Sequence, residues 1–217
     1  MLEIKNTETW GIQRAIKASG NAMSIGKIDT TEKSYLESEV NRARILGANP
    51  VGSAHDHYLL GCHVQFDIKY PQYWTIEAER YHNFEIITSQ SKMHKLTYML
   101  KDSGDLSQFF NQYVDKDIID KVQGYIECYN NNINWQFQSP ESSKYFWFMK
   151  ALSNLPMGFE MWMTCDLTYL QLKTMYYQRC NHKLKEDWGV FCNWCHSLPY
   201  FDELTGIKEP NNKQKNL

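Results

Sequence analysis

The chain has 217 residues, of which 42% are hydrophobic, 14% aromatic and 22% charged. It is long enough to bury a substantial core and too aromatic to be a disordered chain. A formal net charge of −2 leaves no basic field for nucleic acid. The opening MLEIKNTETW carries no apolar run of the secretory kind. The most apolar stretch, residues 145–165, is interrupted by Lys150, Ser153, Asn154, Pro156 and Glu160. It falls short of the roughly 20 apolar residues a bilayer span needs. The expectation is a soluble, cytoplasmic protein with no membrane partner. Its six cysteines (Cys62, Cys128, Cys165, Cys180, Cys192, Cys195) read as reduced thiols, since a chain of this length needs no disulfide framework.

Helix signals dominate. Thr30 or Thr31 caps a helix running to about Leu46, with Glu32 in its first turn and Gly47 as its stop. Residues 61–70 place Cys62, Val64, Phe66 and Ile68 between polar neighbours, the pattern of a half-buried strand. Pro71 then opens a helix that sets Tyr73, Glu77, Arg80 and Phe84 on one face. Asp105 caps Leu106–Tyr113, and residues 117–129 repeat Ile118, Ile119, Val122, Tyr125 and Ile126 at helical spacing. Ser139-Pro140-Glu141 is a helix entry, leading to a stop before Pro156. Phe159–Thr164 is a second, weaker strand. A further helical pattern spans Asp166–His182. The sum is an α+β fold, helices around a small antiparallel sheet, in a single domain over residues 1–205. The polar end, 206–217, reads as a disordered tail.

Five groupings are candidates to carry chemistry. Glu77 and Arg80, with His82 nearby and Thr88-Ser89-Gln90-Ser91-Lys92 following, supply the hydroxyls, amide and cations that hold a phosphorylated ligand. The same residues also read as a solvated helix face and a surface turn. Arg179 closes an apolar stripe of Leu172, Met175 and Tyr176, either as a snorkelling edge or as an anion ligand. Cys192-Asn-Trp-Cys195-His196 has the spacing of c-type haem attachment, but it sits in a helical pattern with no export signal. Cys180, His182, Cys192 and Cys195 together offer four zinc ligands, or else thiols on the buried face of a helix. The cluster His55-Asp56-His57, with His63 beyond it, fits metal binding, proton transfer or an ordinary polar loop.

Taken in order, these blocks resemble the flavin-dependent thymidylate synthases (ThyX). The resemblance runs over about residues 10–200 and rests on block order more than on strict signature identity. Gly52-Ser-Ala-His55-Asp56-His57 and Cys62-His63-Val64 stand for the family's loop and strand. The spacing from Pro71 to Arg80 matches the approach to its Arg-His-Arg signature. Leu155-Pro156, the following strand with Asp166, and a long helix bearing Arg179 stand for its carboxy-terminal part. Departures are clear: Arg-His-Arg becomes Arg80-Tyr81-His82, the family glutamine falls on Glu77, and Asp166 and Thr168 replace asparagine and arginine.

The resemblance implies a homotetrameric enzyme that reductively methylates C5 of dUMP or a related pyrimidine nucleotide. FAD would be its cofactor, with NADPH and methylenetetrahydrofolate as co-substrates and no enzymic nucleophile. It implies flavin contacts for Arg80, His82, His55 and Asp166. Nucleotide contacts fall to Glu77, Ser89, Gln90, Ser91 and Arg179. The rival expectations are a non-catalytic nucleotide or flavin binder on the same fold, and a structural zinc-bearing interaction domain.

Overall fold

The computed structural model describes residues 1–31, 34, 36–81, 84–134 and 136–208. In chain order the helices are α1 (Ile12–Ala18), α2 (Glu37–Gly47), α3 (Gln72–Ala78), α4 (Lys92–Lys95), α5 (Met99–Ser103), α6 (Lys116–Asn130), α7 (Pro140–Ser153), α8 (Tyr169–Arg179), α9 (Lys185–Ser197) and α10 (Phe201–Thr205). The strands are β1 (Glu3–Trp10), β2 (His63–Pro71), β3 (Glu85–Ser89) and β4 (Glu160–Thr168). They form one antiparallel sheet in the order β1-β2-β4-β3. The fold is α+β, as the sequence indicates. Among the described residues no helix is long and apolar enough to cross a membrane.

The chain divides into two compact units. One comprises Met1, Lys69–Glu79 and Thr88–Met163; the other comprises Leu2–Ile68, Arg80–Ile87 and the chain from Thr164 onward. The first unit contains the α6–α7 hairpin. Ser139 Oγ accepts from the Ser142 amide at 3.2 Å and Pro140 fills the first turn of α7, as its entry motif requires. Val122 and Ile126 of α6 and Trp147 and Ala151 of α7 form the seam.

The second unit is built on β2 and β4. Val64, Phe66 and Ile68 alternate inward from β2, and Cys165 and Leu167 do so from β4, every one at most 1% exposed. Trp188, Phe191 and Cys195 present one face of α9 and are fully buried. At the head of α8, Thr168 and Gln171 cap each other reciprocally: the Thr168 amide donates to Gln171 Oε1 at 2.6 Å. Ile207 is 3% exposed, so packing reaches the end of the described chain. The expected polar tail lies, from Glu209 on, outside the described residues.

Several element expectations need correction. The first long helix begins at Glu37 rather than Thr30 or Thr31, where the Leu36 amide donates to Glu39 Oε2 at 2.7 Å. Thr31 instead closes a local turn, its amide and hydroxyl both donating to Asp29; Glu32 lies outside the described residues. Asp105 does accept from the Ser107 amide at 2.8 Å, but the helix it starts is one 3₁₀ turn, Ser107–Phe109. α3 ends at Ala78, so Arg80 and Phe84 are past it and share no helix face with Tyr73 and Glu77. Chain that reads as a continued helix and polar loop becomes β3, and Thr88-Ser89 are strand residues. β4 runs on to Thr168 because the alternation of Met161, Met163, Cys165 and Leu167 continues past Thr164.

Candidate functional site

Within the second unit, a cavity of about 630 Å³ opens beside α8. Leu170, Gln171, Thr174, Met175 and Gln178 line it from one helical face, with Arg179 at the end and Leu167 of β4 beneath. His57 and Leu60 enter from the 3₁₀ turn His57–Gly61, and Arg80, Tyr81 and Phe84 from the segment after α3. Its described lining holds two guanidinium groups and an imidazole, but no carboxylate and no thiol. Such a wall attracts an anion, and its aromatic and aliphatic patches suit a planar ring.

Arg179 is held in a specific pose. Its Nε donates to Tyr81 Oη at 2.6 Å, and its guanidinium carbon lies 5.2 Å from the Tyr81 ring centroid and 4.8 Å from that of Trp188. Tyr81 and Trp188 meet edge to face at 6.4 Å, and Trp188 is fully buried. Two aromatic walls therefore fix the plane of the guanidinium, which is how an arginine is pre-organised for bidentate recognition.

The turn carrying His57 is anchored by a buried ion pair. Lys173 Nζ lies 2.7 Å from Asp56 Oδ2 and also donates to the carbonyls of Gly47 (2.8 Å) and Asn49 (2.6 Å). Three acceptors for three N–H donors leave the ammonium fully satisfied. Asp56, which in sequence groups with its histidine neighbours as a metal or proton-transfer cluster or as an ordinary polar loop, pairs with a lysine on α8. His55 is exposed in the preceding turn and does not line the cavity. His63 stacks on Trp10, ring centroids 5.4 Å apart and nearly parallel.

The other expected site residues divide. Arg80 and Arg179 are brought to one cavity. Asp166 lies on β4, accepting from Gln65 Nε2 at 3.3 Å through Oδ2. Its Oδ1 is shielded from water without a hydrogen bond among the described residues, and His63 Nδ1 is 3.9 Å away. His82 lies outside the described residues. Glu77, Ser89, Gln90 and Ser91 belong to the first unit. There the Gln90 amide donates to Trp162 O at 2.9 Å and its side-chain oxygen accepts from the Trp162 amide at 3.0 Å, a two-point clasp onto β4. Ser91 precedes α4, and Ser89 is the exposed end of β3.

The haem and zinc patterns do not assemble. Cys192 and Cys195 face the core from α9, and burial pushes the Cys192 thiol up to about 12 and the Cys195 thiol well above its ordinary value. His182 Nδ1 accepts from the Leu184 amide at 3.2 Å. His196 is held between Tyr176 Oη (2.9 Å) and Asp202 Oδ1 (2.7 Å). Among the described residues no three His, Cys, Asp or Glu side chains converge on a metal-sized point. Burial also drives Cys62 and Cys165 to about 12, so neither offers a thiolate at neutral pH.

Sequence reasoning missed Lys173 and the polar lining Gln171, Thr174 and Gln178. The lining was findable: those residues fall at i, i+3 and i+7 beside the apolar stripe of the same helix. Lys173 was not, because a lysine between Leu172 and Thr174 gives no local sign that it is buried.

No protein-family model matches the chain, and no curated protein sequence does. Solved structures do. Two structures of flavin-dependent thymidylate synthase ThyX from Helicobacter pylori, both with FAD and dUMP, are similar over 94% of this chain and 97% of theirs. Their TM-scores are 0.64 and 0.66, each at 15% identity. The chain has a ThyX-like fold. A UMP/dUMP methylase, PolB from Streptomyces cacaoi bound with 5-Br dUMP, is similar over 84% of this chain and 80% of its own, with a TM-score of 0.54 at 12% identity. Likeness at this identity speaks for the path of the chain; the side chains of the cavity have to argue for themselves.

Proposed function

We propose that the protein is a divergent ThyX-type enzyme that methylates C5 of a pyrimidine nucleotide, dUMP or a close relative. The observation that carries this reading is the convergence of Arg80 and Arg179 on one cavity that has no carboxylate in its described lining. A phosphate needs both things, cations and the absence of competing anions. Tyr81 and Phe84 supply ring faces for the base, and Gln171, Thr174 and Gln178 supply donors and acceptors for its edge and sugar. By pinning the Arg179 plane, Tyr81 reduces the ordering cost of gripping the phosphate.

FAD fits the residues present in two respects. Asp166 Oδ1 is a buried acceptor with no hydrogen-bond donor among the described residues, suited to an N–H or O–H of a flavin nucleotide, and Arg80, beside Arg179 on the cavity, would give a cation where the two ligands meet. When bound and reduced, the flavin would supply the hydride, with NADPH recharging it and methylenetetrahydrofolate giving the carbon. The chain's own part is to bind, orient and exclude water, in keeping with Cys62, Cys165, Cys192 and Cys195 being too buried to act as nucleophiles. His82 and His55 keep the flavin roles that the resemblance implies, and Glu77, Ser89, Gln90 and Ser91 the nucleotide roles. They would meet these ligands in a homotetramer whose sites lie between subunits, in a cytoplasmic setting. Glu77 in place of the family glutamine favours a pyrimidine with a donor at the exocyclic position, such as a cytosine nucleotide.

A second reading, nucleotide binding without turnover, is favoured by Tyr81 standing where the signature has histidine and serving as the partner of Arg179. The two separate by release of tritium from C5-labelled dUMP or dCMP, with FAD, NADPH and methylenetetrahydrofolate present. Release dependent on Arg80 supports the enzyme; binding of nucleotide with no release from either supports the second reading.

A further inference from the structure

The α6–α7 hairpin carries a second cavity, of about 250 Å³, that the proposed chemistry does not use. Tyr125 of α6, Phe146, Trp147 and Lys150 of α7, and Gln136 and Phe137 of their connection line it. All belong to the first unit. Tyr125 and Trp147 stack at 6.2 Å and 26°, Phe146 meets Trp147 edge-on at 5.1 Å, and Phe137 leans on Phe146 at 4.7 Å. Trp147 Nε1 already donates to Ile133 O at 2.8 Å, so its indole turns a tethered ring, not a donor, to the cavity.

Lys150 decides the chemistry. Its ammonium lies 5.4 Å from the Tyr125 centroid and 5.9 Å from that of Phe146. Among the described residues it makes no ion pair; it is exposed, and its ammonium lies over two ring faces at the solvent edge of the cavity. Those faces are worth less to an ammonium than a carboxylate is. A cationic ligand would have to displace Lys150, whereas an anion completes it. Apolar space of about 150 Å³ suffices for benzene, so this cavity has room for one or two fused rings.

We propose that this cavity binds a planar, one- or two-ring aromatic carboxylate, its rings among Tyr125, Phe137, Phe146 and Trp147 and its carboxylate on Lys150. The inference does not depend on the ThyX-type reading. The test is isothermal titration calorimetry of the full chain with naphthoate. Expected are saturable one-to-one binding, a loss of about tenfold or more in Lys150→Met, and retention within about threefold in Lys150→Arg. Naphthylmethylammonium should bind at least about tenfold more weakly than naphthoate. Arg80→Gln should leave naphthoate binding unchanged, since it alters the other cavity. No saturable binding, indifference to Lys150→Met, equal affinity for the ammonium, or loss in Arg80→Gln would each overturn the proposal.

Discussion

Lys173 and Asp56 form an ion pair at 2.7 Å whose side chains are 0% and 2% exposed, and it ties α8 to the turn that places His57 in the cavity wall. Neighbours in sequence carry the link to the cavity wall: His57 follows Asp56, and Thr174 follows Lys173, and both line the cavity. Lys173→Met leaves a buried carboxylate without its counter-ion. The expected cost is about 3–5 kcal/mol, read as a lower urea midpoint at unchanged slope. The double variant Asp56→Leu/Lys173→Met should recover more than half of that loss, because removing both charges removes the uncompensated one.

The second prediction concerns the grip on phosphate. Arg179→Ala should weaken dUMP binding by about 1.5–3 kcal/mol, while Tyr81→Phe, which keeps the ring and loses only the acceptor for Nε, should cost well under half as much. Calorimetric titration with dUMP gives both. Equal losses would mean that the Tyr81 hydroxyl bonds the nucleotide itself rather than only accepting from Arg179.

What the sequence makes legible here is what local pattern decides. The alternation through Cys62, Val64, Phe66 and Ile68 gives β2, and Ser139-Pro140 gives the start of α7. What it hides is set by distant chain. Gly47 reads as a helix stop, but a Cβ there would come within 1.7 Å of Leu204 O, so close approach to α10 also demands glycine. Helix periodicity past Ala78 yields to pairing of β3 with β4, a contact more than 70 residues away in sequence, as the Gln90–Trp162 clasp illustrates. The arginines of the site are legible as types, and the family resemblance assigns Arg80 to the flavin and Arg179 to the nucleotide; that they line one cavity is set by packing between distant parts of the chain.

Thiol reactivity gives a third check. Cys180 is exposed and Cys128 half-buried, while Cys62, Cys165, Cys192 and Cys195 are buried. With values near 12, about one in ten thousand of the Cys62, Cys165 and Cys192 thiols is ionised at pH 8. Native protein treated with a chromogenic disulfide reagent should show one fast thiol, a slower second, and all six only after unfolding.

A fourth follows from Asp67, whose carboxylate accepts from Thr164 Oγ1 at 2.6 Å and Asn6 Nδ2 at 2.7 Å. The Thr164 bond first, then the Asn6 bond, hold its pKa below the ordinary carboxylate value. A depressed folded value stabilises the native state above the unfolded one, about 3.9. That stabilisation is lost as pH falls through the folded value. Asp67→Asn should therefore flatten the acid limb of stability below about pH 4. An unchanged limb in pH-dependent urea melts would contradict the assignment.

The most direct test of the central claim is the visible absorption spectrum of the purified full chain with FAD, recorded before and after dUMP is added. The account predicts a bound-flavin spectrum that dUMP perturbs saturably, with the perturbation lost in Arg179→Ala. A protein that leaves the FAD spectrum unaltered, with or without dUMP, would contradict it.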